Sequence, residues 1–460
     1  METASNLNIL ITHFRVGRTD GVSLEIEKRK HLLQEMGHQV SLLSGPLQNG
    51  ANYIIQELEF DVPEYIKLRK NSITKFEDYE SEEELLAHIH GVKDVIKTQL
   101  KQILEENNFD MIFAHNILSL AIHMPATLAF VELITEMKIP CMAIDHDFYW
   151  EGDITTIPQF DSIGDLLKKY FVPDLPNVRH ATINTLNEKH LAEEGVEADV
   201  NYDVFAFDQP AWQPDDFNAD FRKSYNIGEN DIIVLQATRI VPNKAIEVAM
   251  DYVKVLQNNK DLLIGSQLYN GREFTKDSNI VFLLAGYAEE DRMWYMNDLE
   301  DYAKKLGIDA RFIGNSVGYE RNITESGKIY SLWDTYVFSD IVTYPSIWEG
   351  WGNQFIEAVF AKKPVVVFEY PVYAKDIRPE GYKVISLGDV YTQDESKRCK
   401  VDEFRLEQSM YETVTILTDR QIYRATTDMN FYIGEKNHSR KVLRKYLQDS
   451  IEWASGWMDK

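Results

Sequence analysis

The stretch Tyr344–Phe368, YPSIWEGWGNQFIEAVFAKKPVVVF, decides the fold class of this 460-residue chain. The apolar residues up to Tyr344 predict a buried strand, the glycines that follow predict a short loop, and a helix is predicted to begin near Asn353. Val365–Phe368 is then predicted to be the next strand. A strand, a loop, a helix and a second strand in this order are typical of a parallel sheet covered by helices.

The same alternation of strands and helices extends outward over most of the chain. Strands are predicted at Leu7–Thr12, Gln39–Leu43, Met111–Ala114, Cys141–Asp145, His180–Asn184, Ile232–Ala237, Ile280–Ala285, Ala310–Ile313 and Ile341–Tyr344. Helices are predicted at Val22–Met36, Asn243–Leu256, Asp291–Leu306, Asn353–Ala361 and Leu443–Trp457. The sequence therefore predicts an α/β protein with doubly wound parallel sheets.

One segment interrupts this pattern and divides the chain. Gln209–Phe221, QPAWQPDDFNADF, has two prolines and no apolar periodicity, which is typical of a linker. We therefore predict an N-terminal Rossmann-like domain over residues 1–210 and a second one over residues 222–439. A C-terminal helix, residues 440–460, is placed where it can pack back on the first domain.

Composition excludes several classes of partner. The chain has 74 acidic against 48 basic residues and a formal net charge of −26, so we expect no nucleic-acid partner and no stable membrane insertion. The longest apolar runs have the length of strands, and no secretion signal is recognised at the N-terminus. The two cysteines, Cys141 and Cys399, do not form a disulfide framework, which favours a cytoplasmic location.

The loop after Tyr344 carries the residues with most chemical information. Gly350 and Gly352 let the backbone approach a ligand, and the amides at the helix start, near Asn353, suit phosphate or sugar oxygens. Glu357 follows Asn353 by four residues, so both project from one face of the helix. Glu349 in the loop and Glu357 in the helix are therefore placed to flank one ligand pocket.

This stretch closely resembles the E-x7-E signature of family-four retaining glycosyltransferases, which have the GT-B fold of two Rossmann-like domains facing a cleft. Trp351 stands where that family usually has phenylalanine. The resemblance implies that Glu349 contacts the donor sugar, that Glu357 binds the ribose, and that the amides of Gly350–Asn353 hold sugar and phosphate oxygens. Ser346, in the matching Pro-Ser pair, is a further donor-binding candidate.

Two cations follow a strand in the same predicted domain. Arg239 and Lys244 lie after the strand Ile232–Ala237, where they can neutralise a diphosphate. Their R-x4-K spacing resembles the diphosphate clamp of the same family. We expect them to stabilise the leaving diphosphate, which is the electrostatic part of catalysis.

The N-terminal half contains two further matches. His13–Ser44 resembles the family's first strand, loop and helix, although Asp20 and Gly21 stand where the family often has two adjacent glycines. Gly21 is therefore a candidate contact to the donor. AIDHDFYWE places His146 just past a strand, like the family's cleft histidine near the donor sugar.

The acceptor is the least constrained part of the prediction. His115, after the strand Met111–Ala114, is an acceptor-site candidate, and Arg15 and Arg18 lie where they can bind an anionic acceptor. Asp145 and Asp147 match the DxD motif of the other major transferase architecture, a match that we interpret as coincidental. No metal site and no cofactor are therefore expected.

The predicted function is retaining transfer of a hexosyl group from a nucleoside-diphosphate sugar to a hydroxyl of a small, soluble acceptor, and Arg15 and Arg18 suit an anionic one. Four alternatives remain open at this level. They are a GT-B-like nucleotide-sugar epimerase, a transferase that acts on a lipid or polysaccharide, a phosphorylase that carries pyridoxal phosphate, and a catalytically silent nucleotide-sugar-binding subunit.

Overall fold

The computed structural model describes residues 6–17, 21–46, 50–151, 156–325 and 327–458. The chain forms two compact units: the first runs up to Val204 and resumes at Arg440, and the second is Phe205–Ser439. The boundary between the two units therefore lies after residue 204 and not after residue 210, where the sequence predicted it. The reason is aromatic packing, since the rings of Phe205 and Phe207 lie 5.0 and 5.6 Å from that of Phe360 in the second unit.

The described part of the first unit alternates strands and helices. The strands are β1 (Asn8–Thr12), β2 (Gln39–Ser44), β3 (Tyr53–Ile54), β4 (Met111–His115), β5 (Cys141–Asp145), β6 (Val178–Thr182) and β7 (Ala198–Val200). The helices are α1 (Gly21–Glu35), α2 (Pro63–Ile73), α3 (Glu82–Asn107), α4 (Met124–Met137), α5 (Asp161–Tyr170) and α6 (Thr185–Glu193).

These strands form one parallel sheet in the order β3-β2-β1-β4-β5-β6-β7. The order reverses beside β1, as in a doubly wound sheet. Thr12 lies opposite both Leu43 and Ala114, and His115 lies opposite Ile144. The carboxyl ends of β1, β4 and β5 are therefore aligned along one edge, where ligands bind in such sheets.

Both faces of this sheet are covered by apolar helices. Leu10 and Ile112 share one buried cluster with Leu100 of α3. On the opposite face, Ile9 shares a buried cluster with Leu443 of the C-terminal helix. Helix packing on both sides explains why the strands are continuously apolar.

The second unit repeats this architecture and adds helices at its end. Its strands are β8 (Ile232–Gln236), β9 (Ile280–Leu284), β10 (Asp309–Phe312), β11 (Val317–Gly318), β12 (Asn322–Thr324), β13 (Gly327–Ser331), β14 (Ile341–Tyr344), β15 (Val365–Val367), β16 (Ile385–Ser386), β17 (Thr392–Gln393) and β18 (Cys399–Lys400). Its helices are α7 (Phe221–Ser224), α8 (Ile246–Asn258), α9 (Met293–Leu306), α10 (Leu332–Phe338), α11 (Asn353–Phe360), α12 (Glu403–Thr418) and α13 (Arg420–His438). The last helix of the chain, α14 (Arg440–Met458), belongs to the first unit.

The main sheet of the second unit has the order β10-β9-β8-β14-β15-β16, with every pair parallel. Strands β8 and β14 are neighbours, so the loops that follow them lie side by side. A three-stranded sheet, β11-β13-β12, is inserted between β10 and β14.

The helix predicted at Asn243–Leu256 begins later than the sequence indicated. Pro242–Lys244 is a short 3-10 turn, Ala245 has a left-handed φ of 43°, and α8 starts only at Ile246. The left-handed residue breaks the helical pattern. Lys244 consequently lies in the turn before the helix, beside the loop that follows β14.

Candidate active site

The loop between β14 and α11 is held tightly against the residues that follow β15. Trp351 in this loop is 3% exposed. A Cβ atom at Gly352 would lie 2.6 Å from the hydroxyl oxygen of Tyr370 and 3.1 Å from Cδ1 of Ile377. Glycine is therefore required at position 352 by the close approach of the tyrosine.

Helix α11 begins directly after this glycine. Its first residue is Asn353, and Gly352 before it has no side chain that can cap the helix. The first amides of a helix have no acceptor within it, and together with the helix dipole they favour an anion. This end of the helix therefore has the chemistry of a phosphate-binding site.

Lys244 and Glu349 form an ion pair between the two neighbouring loops. The Nζ atom of Lys244 donates to Oε1 of Glu349 at 2.5 Å, and the two side chains are only 8% and 13% exposed. Lys244 follows β8 and Glu349 follows β14. The structure thus brings two predicted site residues together at the carboxyl ends of adjacent strands.

Asn243 joins the same two loops through backbone contacts. Its carbonyl oxygen accepts a hydrogen bond from the amide of Ile347 at 3.0 Å. Its side-chain amide donates to the carbonyl oxygen of Trp348 at 3.2 Å. These bonds fix the position of the neighbouring Lys244 relative to Glu349.

Arg239, the other predicted cation of the diphosphate clamp, has a different partner. Its guanidinium lies 3.2 Å from Oε1 of Glu289, and both side chains are about half exposed. Arg239 and Lys244 therefore follow the same strand but do not share a counter-ion.

Glu357 lies on α11 and is 6% exposed. The hydroxyl of Tyr336, which is fully buried on α10, donates to Oε2 of Glu357 at 3.0 Å. Burial, together with the charge of Glu357, raises the pKa of Tyr336 well above its usual value, so this tyrosine stays a donor. Tyr336 thereby fixes the orientation of the second glutamate of the motif.

Two further buried tyrosines surround the first glutamate. Tyr344 ends β14 and Tyr370 follows β15, and their rings meet edge to face with centroids 5.9 Å apart. Burial raises the pKa of both hydroxyls well above the usual value, and the charge of Glu349 raises them further. Both rings therefore stay neutral beside Glu349.

Ser346 is placed deep in the same loop. It is 0% exposed, and its hydroxyl oxygen has no hydrogen-bond partner among the described residues. A buried hydroxyl without a partner is costly unless a ligand or a water satisfies it. This observation agrees with Ser346 as a donor-binding candidate.

In the first unit the structure brings two predicted histidines into contact. His115 at the end of β4 and His146 after β5 are stacked, with ring centroids 5.3 Å apart. Nδ1 of His115 lies 3.0 Å from Nε2 of His146. Burial holds the pKa of both rings well below the usual value, so the pair is neutral at pH 7.

The neighbouring groups indicate which ring nitrogen of each histidine carries the proton. Oδ1 of Asp203 lies 3.9 Å from Nδ1 of His146, which favours a proton on that nitrogen. His146 then accepts from His115 through Nε2. The Nε2 atom of His115 is left as a buried acceptor without a hydrogen-bond partner in the described part of the chain.

Of the cations predicted to bind an anionic acceptor, Arg15 already has carboxylate partners. Its guanidinium lies 2.8 Å from Glu59 and 3.3 Å from Asp61, and it stacks on Phe60 at 4.1 Å. Arg18 lies outside the described residues. Gly21, the predicted donor contact, is the first residue of α1.

The two aspartates that match a DxD motif have separate partners. Oδ2 of Asp145 lies 2.7 Å from Nδ1 of His180, and Asp147 accepts a hydrogen bond from Asn116 at 3.0 Å. Burial alone would lower the pKa of His180, but the charge of Asp145 raises it. Across residues 6–458, apart from the short undescribed gaps, no group of three or more His, Cys, Asp or Glu side chains is arranged to hold a metal ion.

Comparison with known proteins identifies the family. Two proteins named mannosylglucosylglycerate synthase, from Petrotoga mobilis and Thermotoga maritima, are each 33% identical to this chain over 446 residues. The alignments cover 95% and 97% of this chain and the whole of each relative. Residues 217–386 match the family model described as glycosyl transferases group 1. The chain belongs to this family.

The fold of this group 1 glycosyltransferase agrees with that of a solved relative. A glycosyltransferase from Rickettsia africae superposes with a TM-score of 0.63 over 98% of this chain and 99% of its own, at 13% sequence identity. The two doubly wound units confirm the GT-B fold class that the sequence predicted. Membership of the family also confirms that the chain is an enzyme of the hexosyltransferase type.

Three buried tyrosines of the glycosyltransferase, Tyr336, Tyr344 and Tyr370, were not predicted from the sequence as site residues. Tyr344 and Tyr370 lie at or just after strand ends, where ligand-binding residues concentrate, so their positions carried a signal. The position of Tyr336 gave no such signal, because nothing in the sequence indicates that α10 contacts Glu357.

Among the described residues of this glycosyltransferase, no helix is both long enough and apolar enough to span a membrane.

Proposed function

We propose that this enzyme transfers a hexosyl group, with retention of configuration, from a nucleoside-diphosphate sugar to a hydroxyl of a small anionic acceptor. One observation carries the proposal. Both relatives that align over their whole length are named mannosylglucosylglycerate synthase. We therefore propose a mannosyl donor and glucosylglycerate as the acceptor.

The second unit supplies the donor site in this proposal. Lys244 and Arg239 bind the diphosphate, the amides at the start of α11 bind its oxygens, and Glu357 binds the ribose. Glu349 binds hydroxyls of the donor sugar. The 2.5 Å contact between Lys244 and Glu349 supports this assignment, because it brings a phosphate-binding cation next to a sugar-binding carboxylate.

We propose that bond formation and bond breakage take place on the same face of the donor sugar. The oxygen of the acceptor hydroxyl forms a bond to the anomeric carbon on the face from which the diphosphate departs. The bond between the anomeric carbon and the phosphate oxygen breaks, and the hydroxyl proton passes to that phosphate oxygen. Lys244 and Arg239 stabilise the negative charge on the departing diphosphate. No protein nucleophile takes part, so Glu349 is a binding residue and not a nucleophile.

The acceptor is proposed to bind to residues of the first unit. The neutral pair of His115 and His146 ends in a buried acceptor nitrogen, which suits a hydroxyl group. Arg15 is proposed to bind the carboxylate of the acceptor. Since it is already paired with Glu59 and Asp61, that role requires the acceptor to compete with these two side chains.

We further propose that the reaction needs neither a metal ion nor a cofactor. Two cationic side chains and the helix-start amides supply the positive charge that a divalent ion provides in other transferases.

The test is an assay of the purified full-length enzyme with GDP-, UDP- and ADP-mannose and with glucosylglycerate. We expect one of these donors to give a disaccharide glycerate whose new linkage has the anomeric configuration of the donor, as read by NMR. An inverted product would contradict retention. Epimerisation of a donor in the absence of any acceptor would favour the epimerase.

A further inference from the structure

The hydrogen bond between Tyr370 and the glycine loop extends the proposed donor site. The Tyr370 hydroxyl donates to the carbonyl oxygen of Trp351 at 2.6 Å, and the tyrosine is 0% exposed. This bond fixes one end of the peptide that joins Trp351 to Gly352, the residue directly before α11.

The geometry of that peptide determines where its other end points. The described chain contains no cis peptide bond. In a planar trans peptide the carbonyl oxygen and the amide hydrogen point in opposite directions. Because the Trp351 carbonyl points to the buried tyrosine, the amide of Gly352 points away from it.

The close packing around this peptide makes the arrangement specific. A side chain at position 352 would collide with the Tyr370 hydroxyl, since its Cβ would lie 2.6 Å from that oxygen. The ring of Tyr370 is itself held by Tyr344 and Tyr373, with both ring centroids 5.9 Å away. The tyrosine is therefore held firmly enough to orient the peptide.

We propose that Tyr370 is a positioning residue that turns the Gly352 amide toward the donor diphosphate. The inference rests on the proposed function, because it assumes that the donor is a nucleoside diphosphate sugar. Without the hydroxyl, the 351–352 peptide loses its inward anchor and the Gly352 amide is no longer held for a phosphate oxygen. The nucleoside part of the donor does not depend on this amide.

The test compares binding of a nucleoside diphosphate with binding of the corresponding nucleoside. Titration calorimetry of the wild-type enzyme with GDP, UDP and ADP selects the preferred base, and ligand-observed NMR measures the weaker nucleoside. In Tyr370→Phe we expect the Kd for the diphosphate to rise about tenfold, the order expected for one hydrogen bond to a charged group. The Kd for the nucleoside stays within twofold of the wild-type value.

A matched control is available in the same cluster. Tyr373 is also buried, and its hydroxyl makes no hydrogen bond to another described residue. Tyr373→Phe therefore removes the same atom without touching the peptide, and we expect wild-type affinity for both ligands. A wild-type diphosphate affinity in Tyr370→Phe, or an equal loss for the diphosphate and the nucleoside, would overturn the proposal.

A second variant keeps the test decisive if Tyr370→Phe does not fold. Gly352→Ala places a methyl group against the Tyr370 hydroxyl and displaces the same peptide. We expect it to weaken the diphosphate at least tenfold and to leave the nucleoside unchanged, while equal losses for both ligands would contradict the role of this peptide. A wild-type enzyme that binds none of the three diphosphates refutes the proposed function instead, so the two failures are distinguishable.

Discussion

Lys244 and Glu349 neutralise each other across two loops, with 2.5 Å between Nζ and Oε1 and little exposure of either side chain. Each is the other's counter-ion, and each is proposed to bind a different part of the donor. Substitution of one residue therefore leaves a poorly solvated charge on the other. Effects on stability and on catalysis must consequently be separated at this pair.

Lys244→Ala should lower kcat at least 100-fold, because the leaving diphosphate loses its buried cation. It should also lower the free energy of unfolding by about 2 kcal/mol, since Glu349 is left unpaired. The double variant Lys244→Ala/Glu349→Gln should regain that stability but no activity, as measured by urea unfolding and by turnover. The exposed Lys304→Ala serves as the control and should change neither quantity.

Arg239→Ala should also reduce turnover severely, by about 100-fold, but with little loss of stability. The reason is that its partner Glu289 is about half exposed, and exposed ion pairs contribute at most about 1 kcal/mol. Steady-state kinetics measure the loss of turnover, and thermal unfolding measures the change in stability. Wild-type turnover in a folded Arg239→Ala/Lys244→Ala double variant would refute the diphosphate clamp.

The two glutamates of the motif should differ in their kinetics. Glu357→Gln should mainly raise the donor KM, because a ribose contact persists through the ground and transition states, and glutamine keeps an oxygen for Tyr336. Glu349→Gln should mainly lower kcat, since its sugar contacts strengthen as positive charge develops at the anomeric carbon. Kinetics at saturating acceptor decide between them. Loss of kcat in Glu357→Gln alone would mean that the two roles are exchanged.

Turnover should survive exhaustive dialysis against EDTA, because Lys244, Arg239 and the α11 amides supply the positive charge. The measurement is kcat before and after chelation, with metal content verified by mass spectrometry. Activity that disappears with EDTA and returns with Mg²⁺ or Mn²⁺ would contradict the expectation.

Three buried histidines of the first unit, His115, His123 and His146, should make the protein less stable in acid. Burial lowers the pKa of His115 and His146 well below the usual value and that of His123 from 6.5 to about 4. Below pH 6.5 the unfolded chain therefore binds more protons than the folded one, and the free energy of unfolding falls as the pH falls. For His123 alone the loss is about 2 kcal/mol between pH 7 and pH 5.

Urea unfolding at pH 7 and pH 5 measures this loss. His123→Gln should make the pH dependence shallower than that of the wild type. An identical pH dependence in His123→Gln and the wild type would show that His123 does not contribute.

The sequence predicted the strands of both sheets well because they are buried on both faces and read as continuous apolar runs. Cys141–Asp145 and Ile341–Tyr344 have the predicted bounds. Short or exposed strands were missed, among them β12, whose three residues, Asn322–Thr324, are all exposed and carry no apolar alternation. Hydrophobic patterning gives no signal where nothing is buried.

The candidate site was predictable only as far as local motifs reach. Spacing related Glu349 to Glu357 and Arg239 to Lys244, but no spacing related Lys244 to Glu349, which are 105 residues apart. Their contact arises because β8 and β14 are neighbours in the sheet, and strand order is a tertiary property. For the same reason, the sequence did not predict that Arg239 pairs with Glu289.

The division of the chain has a consequence for synthesis on the ribosome. The first unit is discontinuous in sequence, since Leu443 and Leu447 of α14 complete the apolar cluster that contains Ile9. That face of the first sheet stays uncovered by α14 until residues 440–458 have left the exit tunnel. The second unit is a continuous segment whose ends meet, because the amide of Phe205 donates to the carbonyl of His438 at 2.7 Å. The second unit is therefore complete before the first, although most of the first unit is synthesised earlier.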